Sequence, residues 1–428
     1  MRFLALALCA LLHSAAAAAA DGWTRVLLTA AAEADGAVAL DGTPQALYLR
    51  RGPPSSPSSS SFLLFFEGGG WCQSLPDCAA RANTSLGSSR FPTSGYAARD
   101  LLSANCTLNP RLCNHSMVYA QYLDGASRAS DADQPALVGG RAVYLRGHRT
   151  LRATLAALLA PQGPGAGLPS LAAAAELVVT GSSAGGLTVL LHIDEIAAAV
   201  AAANPAARVR AVPEVGFFID GQSIWGGARV MSGVFARVAN FSNITGGAPG
   251  QVSAACVAAT PPGLRARCFM AQYTLPHIAT PTFVVNSRVD EWQAQNILAP
   301  NLDTLPAVTT YAPFAPCIRA PVSGCNATQA AQWRGLAGQF LGALAGARAA
   351  TPPAAAAGHG GVITSCPIHT TLIGGLSHRI RVGGRSLYQH VADWLDAEDK
   401  SQWVLDVDYP GNDSCPKPSE YKDEWRDM

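Results

Sequence analysis

The chain has 428 residues, is 49% hydrophobic and 14% charged, and carries a formal net charge of +1. That apolar content is enough for a large buried core. The balanced charge offers no basic field to steer nucleic acid, so that class of partner is set aside.

The N-terminus reads MRFLALALCALLHSAAAAAAD: Arg2 as a short positive region, an apolar run from Phe3 to Leu12, then alanines. This is the pattern of a cleaved secretory signal, so 1–20 is read as signal and 21–428 as one mature domain. No later stretch carries about 18 strongly apolar residues, so no membrane span is expected after cleavage. GAVALDGTPQALYLRRG (36–52) alternates and turns at Asp41-Gly42, which predicts a hairpin. A Pro/Ser loop (51–61) leads to a strand from Phe62 to Phe66 and the glycine loop EGGGW. MVYAQYL (117–123) and RAVYLRG (141–147) read as short strands, and LRATLAALLA (151–160) as a helix broken by PQGPGAGLP. ELVVTGSSAGGLTVLLHIDEIAAAVAAAN (176–204) is a strand to Thr180, a tight turn, and a helix to about Ala203. Strands follow in 209–220 and 280–290, a helix in 330–350, a loop in TPPAAAAGHGG, a strand in GGVITSC, and a last amphipathic helix in 386–399. The alternation argues for a single α/β domain, with a mainly parallel central sheet flanked by helices, and a serine turn between strand and helix at 180–184 makes it α/β-hydrolase-like.

Gly181-Ser182-Ser183-Ala184-Gly185 fits G-x-S-x-G between that strand and helix. A serine at such a turn is exposed for attack, and the crowded backbone needs small neighbours. Ser183 is the candidate nucleophile; Ser182 has the wrong phase and is read as packing. An oxyanion needs donors already in place. The backbone N–H of Ala184 is one candidate, and those of Gly70 and Trp71, in the glycine loop, are the others. Lipases usually carry His before such glycines; here the residue is Glu67. A serine needs a base, and the base a carboxylate, in the chain order Ser, acid, His. Asp290 ends a strand and is the candidate acid, with Asp220 as runner-up. Of the later histidines, His390 lies in a helix, His359 in a loose glycine loop, and His378 reads as surface. His369 follows a strand, three residues after Cys366, and is the candidate base. His192, on the helix after Ser183, is read as a packing or capping residue.

Ten cysteines remain once Cys9 leaves with the signal, an even set that suits five disulfides in a secreted chain. The simplest connectivity closes small loops, Cys72 to Cys78, Cys106 to Cys113, Cys256 to Cys268 and Cys317 to Cys325, leaving Cys366 to Cys415. No Cys-x-x-Cys or Cys/His spacing points to a metal, and no cofactor is expected. N-x-[ST] sequons at Asn83, Asn105, Asn114, Asn240, Asn243, Asn326 and Asn412 are candidate glycosylation sites.

These blocks together resemble the pectin acetylesterase and Notum family of carboxylesterases, nearer its plant-type members. The resemblance rests on FEGGGWC (66–72), TSLGSS (84–89), YLDGAS (122–127), LRGHR (145–149), GSSAGGL (181–187), Phe217, Phe218, Ile219 and Asp220, NSRVDEWQ (286–293), SC-x-x-H (365–369) and the helix ending in Asp393-Trp394. It implies a Ser183, Asp290 and His369 triad, oxyanion donors on Gly70, Trp71 and Ala184, and Trp71 as a pocket wall as well. Plant members often carry Cys where this chain has Ala39, Leu123, Thr370 and Gly411, so its disulfide set is its own. The expectation is a secreted, monomeric serine esterase acting on acetylated cell-wall polysaccharide, pectin by resemblance. The alternatives are a Notum-like deacylase of a longer or protein-linked acyl ester, and a non-enzymatic carbohydrate-binding wall protein on a hydrolase fold.

Overall fold

Ten strands build the central sheet of the computed structural model. They are β1 (Ala17–Ala18), β2 (Thr24–Leu27), β3 (Ala46–Arg50), β4 (Ser61–Phe66), β5 (Ser116–Ala120), β6 (Glu176–Ser182), β7 (Arg208–Glu214), β8 (Phe283–Ser287), β9 (Gly360–Thr364) and β10 (Trp403–Leu405). The structure describes Ala17–Ala18, 22–397 and 401–417, apart from 57, 59, 98–99, 162, 166–167, 246–249, 301–316 and 318–323. The spatial order is β1-β2-β3-β5-β4-β6-β7-β8-β9-β10. From β5 to β10 every neighbour is parallel, whereas β1, β2 and β3 join antiparallel at one edge.

Parallel strands covered on both faces read as unbroken apolar runs. Phe62 to Phe66 are each at most 1% exposed, and each such side chain contributes roughly 1.5–3 kcal/mol. The helix Ala184–Ala203 packs on β6 and β7. Its length and composition alone would let it cross a membrane, although no span is expected there from the sequence. In the fold it is a core helix, with Leu187, Leu190, Ile193 and Ile196 buried.

Several expectations needed tertiary correction. The hairpin at 36–52 shrinks to one bridge, Val38 to Pro44, because Ala46–Arg50 pairs instead with β2 and β5. The strand expected at 141–147 is only Arg141–Val143, paired with Ala136–Val138 outside the main sheet. Its last residue, Gly147, already begins the helix Gly147–Leu159. TPPAAAAGHGG contains a helical turn, Pro353–Ala356. Of the segment read as signal, Ala17–Ala18 pairs with Arg25 and Thr24, and the rest lies outside the described residues. The disulfides pair as the spacing suggested, Cys72–Cys78, Cys106–Cys113, Cys256–Cys268, Cys317–Cys325 and Cys366–Cys415.

Candidate active site

Ser183 stands between the end of β6 and the first helical residue, Ala184, with φ 58° and ψ −123°. Few L-residues adopt this backbone, and the surrounding packing must hold it. The close approach explains the glycines. A Cβ at Gly185 would fall 2.0 Å from the Phe66 carbonyl oxygen. A Cβ at Gly68 would fall 2.3 Å from Ser182 O and 2.9 Å from Ser183 Cβ. Phe66 pairs with Gly181 across β4 and β6, so the glycine loop leaves the sheet directly beside the serine.

The Gly70 and Trp71 amides donate to no protein group among the described residues. The Ala184 amide, at the first turn of its helix, has no intrahelical acceptor. These three donors are held by a network that spacing did not disclose. Tyr122 OH donates to Gly70 O at 2.7 Å and accepts from Ser127 N at 3.0 Å. The Trp71 indole N–H donates to Ser127 Oγ at 2.8 Å, and Ser127 Oγ donates to Ala184 O at 2.8 Å. Ser127 therefore ties the glycine loop to the turn carrying Ser183. Its only sequence signal was membership of the YLDGAS block.

Because β6, β8 and β9 run parallel, Ser183, Asp290 and His369 all emerge at the carboxyl edge of the sheet. His369 Nε2 lies 2.8 Å from Ser183 Oγ, and His369 Nδ1 lies 2.8 Å from Asp290 Oδ2. His369 and Asp290 are 2% and 1% exposed. Burial pushes the imidazole pKa down, but the neighbouring Asp290 carboxylate more than reverses this, and the net shift is upward. Asp290 Oδ1 also accepts from Gln293 N at 2.8 Å, which fixes the carboxylate. The loop after His369 is clamped by Glu214, whose Oε1 accepts from the Thr371 and Leu372 amides. Burial raises the Glu214 carboxyl pKa, opposed by those two amides. From the other side, the Cys366–Cys415 bridge ties this loop to the C-terminal segment.

The other candidates are engaged elsewhere. Asp220 accepts from Tyr273 OH at 2.8 Å and faces Arg229. His359 is buried rather than loose, its ring held by Thr282 N and Ile278 O. His378 contacts Leu108 O and stacks on Tyr388, and His390 contacts Val382 O. Ser182 is buried in β6. Trp71 is 4% exposed and meets Phe218, Phe235 and Trp292 edge to face at 4.8, 4.7 and 5.5 Å. Phe218 and Trp292 in turn flank His369.

The family model described as Pectinacetylesterase matches residues 17–416. The chain belongs to the pectin acetylesterase family. It is a carboxylic ester hydrolase of α/β-hydrolase-like fold. It is 30% identical to Pectin acetylesterase 11 of Arabidopsis thaliana over 79% of this chain and 78% of that one. It is also 30% identical to the human palmitoleoyl-protein carboxylesterase NOTUM, over 42% of this chain and 34% of that one. The solved structure of the Wnt deacylase Notum from Drosophila aligns with a TM-score of 0.69 at 21% identity, covering 89% of this chain and 96% of that one. At that identity the structural likeness concerns the fold.

Proposed function

We propose that this pectin acetylesterase family member is a secreted serine esterase that removes acetyl groups from cell-wall polysaccharide, with pectin as the first candidate. The observation that carries the reading is the unbroken Ser183–His369–Asp290 hydrogen-bond chain. His369 takes the Ser183 proton as the hydroxyl attacks the acetyl carbonyl. Asp290 orients the ring and stabilises the imidazolium. The oxyanion is held by the amides of Gly70, Trp71 and Ala184. His369 then protonates the departing sugar oxygen as its bond to the acetyl carbon breaks, and water, deprotonated by the same ring, releases acetate from Ser183.

Trp71, Phe218 and Phe235 are almost fully buried against one another, so their rings fill space rather than line a channel. That suits a two-carbon acyl group. Five disulfides and the N-terminal signal pattern support secretion. Glycans fit Asn83, Asn105, Asn240 and Asn326, which are exposed, better than half-buried Asn114, Asn243 and Asn412.

The test compares acetate release from acetylated pectin and acetylated xylan, with p-nitrophenyl esters from acetate to dodecanoate alongside. Acetate release with a maximum at the shortest ester is expected. A maximum at octanoate or longer overturns the acetyl reading in favour of a longer-chain deacylase. No hydrolysis of any ester leaves the wall-binding alternative.

Three further outcomes follow from the geometry. The base must be neutral to accept a proton, and the pKa of His369 is raised. Activity is therefore lost as pH falls, and the acid limb of kcat/KM should have its midpoint above the ordinary histidine value of about 6.5. A midpoint below that value contradicts the paired geometry. Ser127→Ala should lower kcat roughly 10- to 100-fold with KM nearly unchanged, because it releases both sides of the oxyanion cradle without touching substrate. A change in KM alone would instead assign Ser127 to substrate binding. Replacing Cys366 and Cys415 together by Ser opens a loop spanning 49 residues. Chain entropy sets the cost at about 4 kcal/mol, read by denaturant unfolding, with kcat falling more than KM changes. Unchanged kcat in the folded variant would show that the base keeps its place without this bridge.

A further inference from the structure

A second constellation lies behind the oxyanion cradle. His148 is the second residue of the helix Gly147–Leu159, while His192 and Glu195 share one face of the helix Ala184–Ala203. Both imidazoles are wholly buried, and the Glu195 side chain is 28% exposed. His148 Nε2 lies 3.0 Å from both Glu195 carboxylate oxygens. His192 Nδ1 lies 3.6 Å from Glu195 Oε2 and 3.2 Å from Gly250 O. His192 Nε2 faces another acceptor, Ser127 O, at 3.2 Å. A neutral imidazole has one N–H. If Nε2–H donates to Ser127 O, the Nδ1 lone pair points at a carbonyl and a carboxylate, an arrangement that calls for a cation among them.

We propose that His148 Nε2, His192 Nδ1, the Glu195 carboxylate and Gly250 O form a four-coordinate site for a divalent transition metal, zinc in the first instance. Ligands about 2.0–2.1 Å from a tetrahedral zinc stand about 3.3 Å from one another. Three of the six ligand–ligand separations, 3.0, 3.2 and 3.6 Å, bracket that value, and the His148, His192 and Glu195 ligand atoms all lie within 4.8 Å of one another. Two imidazoles with two oxygens suit zinc better than calcium or magnesium, which prefer all-oxygen shells. The outer shell is also present. His148 Nδ1 faces Asp131 Oδ2 at 3.9 Å, and His192 Nε2 faces Ser127 O at 3.2 Å. Gly250 has φ +99°, and a Cβ there would come within 3.1 Å of His148 Nε2 and 3.3 Å of Glu195 Cδ, so glycine is what lets this carbonyl approach. With four protein ligands the site is closed and structural. It braces Ser127, and through it the glycine loop, from behind. Spacing did not reveal it, because the two histidines sit on different helices.

The test strips the full-length protein with chelator and titrates it with zinc chloride, with cobalt(II) chloride in parallel. One equivalent should bind with micromolar or tighter affinity, and Tm should rise by about 3 °C at zinc 100-fold above Kd. X-ray absorption of the bound zinc should report two imidazole nitrogens and two oxygens at about 2.0–2.1 Å. Glu195→Gln should weaken zinc at least tenfold. The absence of binding at about 100 micromolar zinc overturns the proposal, and the group is then a His148–Glu195 hydrogen-bonded pair beside His192. Fewer than two imidazoles in the absorption spectrum, or unchanged affinity in Glu195→Gln, overturns it too. Should Glu195→Gln fail to fold, the wild-type absorption spectrum decides by itself.

Discussion

Ser183→Ala is expected to lower kcat for p-nitrophenyl acetate by roughly 10⁴-fold or more, with KM little changed. The reason is geometric. Ser183 Oγ is 2.8 Å from His369 Nε2, on a backbone of φ 58° and ψ −123° between a strand and a helix. His369→Ala should cost about as much, and the double variant little more than either, because nucleophile and base act as one unit. Additive losses would mean that the two residues serve separate steps. Residual activity should remain above the uncatalysed rate, since the oxyanion donors stay in place.

Asp290→Asn should lower kcat by about 10⁴-fold, although the amide is nearly isosteric. An amide in place of the carboxylate cannot stabilise the imidazolium and favours the wrong ring tautomer, with the proton on Nε2 facing Ser183. The acid limb of the pH profile should then move down, because the carboxylate that raises the His369 pKa is gone. Asp220→Asn is the control. Its carboxylate serves Tyr273 and Arg229, so the change should affect stability and leave kcat within a few-fold. The reverse pattern would make Asp220 the acid.

What was legible in the sequence depended on local constraint. The turn around Ser183 is a strand, small residues and a helix in immediate succession, so sterics write it into a few consecutive letters. Asp290 and His369 each follow a strand, and a parallel sheet brings such ends together without further information. The short loops closed by Cys72–Cys78, Cys106–Cys113, Cys256–Cys268 and Cys317–Cys325 were equally local.

What escaped was long-range. Ser127 meets Ala184, and Glu214 meets Thr371, across segments with no periodic signature. His148 and Glu195 meet only because two helices pack beside each other. The hairpin at 36–52 misled because alternation predicts a strand without naming its partner. His359 looked loose from its glycines, yet its ring is held by Thr282 N and Ile278 O.

Ser183 as the nucleophile of an esterase is open to chemical labelling. The most direct measurement is labelling of the intact protein with a fluorophosphonate, followed by mass spectrometric localisation of the adduct. One adduct per chain, on Ser183, is the predicted result, and it should be lost in His369→Ala while that variant remains folded. An unlabelled active enzyme, or an adduct on any serine other than Ser183, would contradict the account.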